Sequence, residues 1–107
     1  VTSVAHPLLL NRPMESLEAS FKEWRHWGLD GLESIYPTYT VEQTAYMQRI
    51  TSKYGYLMTG GSDFHGENKP HIKIGTGTGS LEVGNEILWP LLERRKAIAK
   101  ELQIQID

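Results

Sequence analysis

Cysteine is absent from the 107 residues, so neither a disulfide nor a thiolate metal site can exist, and thiol usage gives no clue to redox compartment. No apolar run approaches the ~20 residues a membrane-spanning helix needs, and no signal-peptide pattern opens the chain. Basic charge is not in excess: 11 Lys and Arg face 13 Asp and Glu, a net charge of −2. That excludes a broadly basic surface, the footprint of a binder of long nucleic acids, but not a local phosphate site. Internal repeats, low-complexity tracts and linkers are also missing. The expectation is one small, soluble, cytoplasmic globular domain. The opening VTSVAHP has no initiator Met and reads as the start of a piece of a longer polypeptide.

What is present alternates in character. Residues 1–5 are β-branched and predict a short strand, ended by His6-Pro7 because proline lacks a ladder donor. LNRPMES then reads as a loop into a helix. Leu17, Phe21, Trp24 and Gly28 fall on one helical face, with Gly28 suited to its C-terminal end. Residues 29–36 predict a second strand. Thr40 and Gln43 have capping-box spacing, and Gln43, Met47, Ile50 and Tyr54 continue a helix that Gly55 can end. YLMT (56–59) predicts a third strand, closed by Gly60-Gly61. HIKIG offers one short β-like piece within a loop. Leu88 to Leu102 fits a terminal helix from about Pro90, since proline is tolerated in a first turn. The order β-α-β-α-β-loop-α argues for an α/β fold with parallel strands.

In such folds, sites gather at the carboxyl ends of the strands. Here those ends carry His6, then Glu33 and Tyr36, then Asp63 and His65 in the stretch TGGSDFHG. In extended chain, residues i and i+2 point the same way, so Asp63 and His65 are expected to aim at one point. Carboxylate and imidazole both ligate divalent transition metals. Gly60, Gly61 and Gly66 allow close approach of a ligand. Each residue also has a plainer reading. Asp63 can cap a turn, His6 can be an interior histidine, Glu33 a solvated strand-end charge and Lys69 a surface lysine. His26 and His71 read as structural, and the tryptophans and Met47 as core. Convergence of His6, Asp63 and His65 on one rim favours an open metal site of catalytic type for those three.

VAHPLLL and YGYLMTGGSDFHGENKPHIKIG resemble the last two motifs of the PHP (polymerase and histidinol phosphatase) superfamily of metal-dependent phosphoesterases. The specific part is Gly60-Gly61-Ser62-Asp63-Phe64-His65-Gly66 with Lys69-Pro70. The intervening WGLDGLESIYPTYTVEQTAYMQRITSKYG resembles the branch acting on nucleotides and oligonucleotides, and the likeness covers residues 2–78. It implies a distorted (β/α) barrel of seven strands holding up to three divalent metals, commonly manganese, zinc or iron. It implies His6, Asp63 and His65 as metal ligands. It implies hydrolysis of phosphate esters of nucleotides or short oligonucleotides by metal-activated water, with Lys69 offering charge to the phosphate.

Two departures qualify that reading. The family's N-terminal His-x-His motif occurs nowhere here, so residues 1–107 read as a single partial domain, the C-terminal part of such a barrel, with three of about nine ligands. Tyr39 stands where relatives often carry His, and is left out of the expected site. A partial barrel has cut sheet edges that invite pairing. The rival expectation is therefore a catalytically inactive chain that self-associates or binds a partner.

Overall fold

The computed structural model describes residues 1–103. Three strands, β1 (Ser3–Val4), β2 (Gly31–Ile35) and β3 (Leu57–Gly60), form one parallel sheet in the order β1-β2-β3. Helices α1 (Met14–His26) and α2 (Val41–Tyr54) make the two crossovers, and α3 (Leu88–Leu102) follows β3. The sequence order of elements stands as expected. The boundaries move: β1 is only two residues, β3 starts one residue late and runs into Gly60, and α3 begins before Pro90. The HIKIG stretch is not a strand. It is a tight turn in which Lys73 and Gly77 bond to each other through both backbone groups.

Sequential parallel strands joined by right-handed crossovers place both helices on one face. The core agrees, since Leu17 and Phe21 of α1, Met47 and Ile50 of α2, and Leu32 of β2 form a single buried cluster. Such winding builds a sector of an α/β barrel, whereas a doubly wound sheet needs helices on both faces. The sheet also curls. Adjacent strands lie about 4.8 Å apart, yet Ser3 Oγ of β1 reaches Thr59 Oγ1 of β3 at 2.8 Å across the intervening β2. Gly31, buried between them without a side chain, leaves room for that contact. The concave face is thus lined by small and polar groups, with Glu33 two residues along from Gly31.

The helix ends follow local chemistry. Thr40 caps α2 by accepting from the Gln43 N–H, and the Gln43 side chain accepts from the Thr40 N–H, completing the capping box. Gly55 ends the helix in a left-handed conformation. Trp24 packs edge-on to Phe21, but Trp27 and Trp89 are 70% and 59% exposed, so two of the three tryptophans expected in the core are outside it. At the amino ends of the strands, buried Asp30 accepts from Thr2 and from Arg94 of α3. Burial would raise its carboxyl pKa, and these donors outweigh it and hold the group below its usual range.

Phe21 is fully buried. Truncation to Ala is expected to cost about 3–5 kcal/mol, against about 1 kcal/mol for Thr40→Ala. Urea unfolding of both variants checks the ranking, and equal losses would contradict it.

Candidate functional site

The parallel register brings the carboxyl ends of all three strands to one rim. β1 delivers His6, β2 delivers Glu33 and Tyr36, and the chain leaving β3 delivers Asp63, His65 and Lys69. Contacts tie these together across the strands. The His6 backbone N–H donates to Glu33 Oε1 at 2.7 Å. The His6 ring meets the Tyr36 ring edge-on, centroids 5.3 Å apart. Tyr36 donates its hydroxyl to Asp63 Oδ2 at 2.6 Å, and Lys69 Nζ reaches the same oxygen at 3.0 Å.

Four non-glycine residues among those described have positive φ: Asn11 and Gln103 as helix C-caps, and two at the rim. His6 has φ +28° and Asp63 φ +56°, both in the left-handed region that non-glycine residues rarely occupy. Such conformations cost about 1–3 kcal/mol each and cluster at functional sites. They fall on two of the three residues expected as metal ligands. The expected route from Asp63 to His65 is different, however. β3 stops at Gly60, so the two residues are not alternate positions of a strand. They meet through a local turn, with His65 Nδ1 2.6 Å from the Asp63 carbonyl oxygen and 3.5 Å from Asp63 Oδ1.

The rim's charges are uneven. The Tyr36 hydroxyl and the Lys69 ammonium hold the Asp63 carboxyl below its ordinary value, so it is ionised at neutral pH. Burial raises Glu33, and the Asp63 charge adds to this against the donation from His6. Burial, with the bond to Asp63, pushes the Tyr36 hydroxyl up to about 12. Glu33 is the residue that sequence reasoning set aside. It is half-buried rather than solvated, and the sequence carries no signal of this beyond its place near the end of β2. His26 and His71 are exposed and away from these contacts.

The donor types suit a divalent cation, but their arrangement does not. Among the described residues, no three of His, Asp and Glu stand together in a way that could hold a metal ion. Asp63 Oδ2 is engaged by Tyr36 and Lys69, and His65 Nδ1 by Asp63 itself. These residues do not by themselves form a metal cage.

No family model matches the chain, and no curated protein matches it. Among solved structures, it is similar to a protein of Bifidobacterium adolescentis described as a "putative metal-dependent phosphoesterase", at 30% identity and a TM-score of 0.60. The match covers 86% of this chain but only 31% of that one. The chain thus shares the fold of a part of that phosphoesterase-like protein and spans about a third of its length.

If Tyr36 and Lys69 hold Asp63 as described, Tyr36→Phe and Lys69→Met each raise the Asp63 carboxyl pKa towards its ordinary value. Carboxyl 13C shifts followed against pH read this directly. An unmoved Asp63 titration in both variants would contradict the assignment.

Proposed function

We propose that this chain is the C-terminal part of a PHP-type metal-dependent phosphoesterase that hydrolyses phosphate esters of nucleotides or short oligonucleotides. The observation that carries the reading is the strand-end rim, with His6 and Asp63 held in strained backbone and a cation, Lys69, at hydrogen-bond distance from Asp63. Support comes from the likeness to a longer protein described as a phosphoesterase. In this reading His6, Asp63 and His65 are this segment's share of a metal cage for manganese, zinc or iron, up to three ions. The remaining ligands come from elsewhere in a longer polypeptide. Lys69 gives a positive charge to a phosphoryl oxygen, an interaction that strengthens as charge builds in the transition state. Glu33, with its raised pKa, is the rim carboxyl best suited to hold a proton.

The test is hydrolysis of a nucleoside monophosphate with added manganese. The 107-residue chain alone is expected to show no rate above background. In a longer polypeptide carrying it, Asp63→Ala is expected to lower kcat at least 100-fold with unchanged far-UV circular dichroism, and Lys69→Met to lower kcat as well as raise KM. Full activity of the Asp63→Ala protein would overturn the reading.

A second reading, an inactive partial barrel that associates, is favoured by one feature. Exposed Trp27 flanks an apolar groove of Val4, Trp24 and Leu29 beside the two-residue strand β1, which no strand covers on its outer side among the described residues. Sedimentation at rising concentration would show dimers that Trp27→Ser abolishes. A strictly monomeric chain would remove this reading.

A further inference from the structure

His6 is held against two backbone preferences at once. Its φ of +28° and ψ of +58° lie in the left-handed region, which an ordinary side chain rarely enters. The next residue is Pro7, and a proline pushes the residue before it towards extended backbone. Neither preference is met, so the surroundings over-determine this turn. Burial of Pro7 and Leu8 in the short helical turn that follows gives one anchor. The other anchors come from side chains of residues 33–39.

That span meets the turn at three points. Glu33 Oε1 accepts from the His6 N–H at 2.7 Å. The Tyr39 hydroxyl accepts from the Leu8 N–H at 3.3 Å. The Tyr36 ring stands edge-on to the imidazole. The two amides so engaged flank Pro7, which has none of its own. At the start of a helical turn such N–H groups have no partner within the turn, and the His6 side chain makes no capping bond to it. Glu33 and Tyr39 therefore take the place of a cap from outside.

Tyr39 is itself fixed. Its N–H donates to the Tyr36 carbonyl oxygen at 3.1 Å, and its ring lies 5.3 Å from the Tyr36 ring. It packs against the buried core cluster, and Thr40 beside it is locked into the capping box of α2. The start of α2 thus sets where the Tyr39 hydroxyl stands, and the hydroxyl sets the turn after β1.

We infer that Tyr39 and Glu33 are positioning residues for His6: by holding the N–H groups on either side of Pro7, they keep residue 6 in left-handed backbone and its imidazole against Tyr36 at the rim. The inference rests on the phosphoesterase reading for what the imidazole does there. It deepens that reading by giving Tyr39, which sequence reasoning left out of the site, a role that needs no contact with substrate.

The experiment is NMR of the 107-residue chain without metal, which reports on His6 whether or not the phosphoesterase reading holds. Three signals are followed: the intraresidue HN–Hα cross-peak of His6, which is strong at positive φ, the His6 imidazole protons, shifted by the Tyr36 ring, and hydrogen exchange of the His6 and Leu8 amides. Tyr39→Phe removes the acceptor and keeps the ring. It is expected to speed Leu8 exchange roughly tenfold, weaken the cross-peak and move the imidazole protons. Glu33→Ala has the same effect through the His6 amide, and Glu33→Gln, which keeps an acceptor oxygen at the same reach, restores the native pattern. Signals of Phe21 and Met47 in the core stay in place in all three variants. Unmoved His6 signals in Tyr39→Phe and Glu33→Ala would overturn the inference and leave the phosphoesterase reading standing. Core signals that move together with those of His6 would make the effect one of folding, and would also overturn it. Displacement of His6 as expected, with undiminished manganese-dependent hydrolysis by a longer polypeptide carrying Tyr39→Phe, would uphold the positioning and overturn the part given to His6 in the phosphoesterase reading.

Discussion

Everything at the rim depends on the parallel pairing of three short strands in sequence order. Parallel crossovers are as a rule right-handed, which puts successive helices on one face, and parallel pairing puts the carboxyl ends of the strands at one edge. The other face is then free to curl inward, and the contact between Ser3 and Thr59 across Gly31 shows that it does. A side chain at position 31 would press on the Leu57 carbonyl oxygen, 3.0 Å from the added carbon, and on Ser3 Oγ at 3.3 Å. The positions of His6, Glu33 and Asp63 relative to one another are consequences of this pairing rather than of any direct link in the chain.

Within that frame the rim is electrostatically asymmetric. Asp63 collects a hydroxyl and an ammonium on one oxygen and stays ionised, whereas burial and the Asp63 charge raise the proton affinity of Glu33. Two carboxyl groups whose environments push their proton affinities apart are a frequent arrangement where acid–base work is done. Lys69 gives Asp63 a positive charge at 3.0 Å, and the His, Asp and Glu donors of the rim do not converge among the described residues.

Much of this was legible from the residues alone. The alternation of helical and strand patterns fixed the element order, and Thr40, Gln43 and Gly55 marked the limits of α2 through local capping chemistry. His6 and Asp63 were singled out because both follow strands. What the pattern could not show is whatever depends on tertiary contacts. An extended stretch at 61–65 was the natural expectation after an apolar run, but Asp63 turns left-handed to reach Tyr36 and Lys69. HIKIG alternates like a strand, yet among the described residues it pairs with no strand and Lys73 bridges to Gly77 in a tight turn. Trp27, the C-cap of α1, and Trp89 of α3 have core-like side chains that stay mostly exposed. Glu33 was undervalued because half-burial of a strand residue depends on curvature, which no single strand encodes.

The proposed function places a divalent cation at the strand ends carrying His6, Asp63 and His65. The most direct test is paramagnetic broadening by manganese ions on the isotopically labelled chain, compared with Asp63→Ala. The account predicts weak binding, with broadening that begins at His6, Asp63 and His65 and disappears in the variant. Broadening centred on the acidic stretch around Glu82 and Glu86, or the same pattern with and without the Asp63 carboxylate, would contradict it.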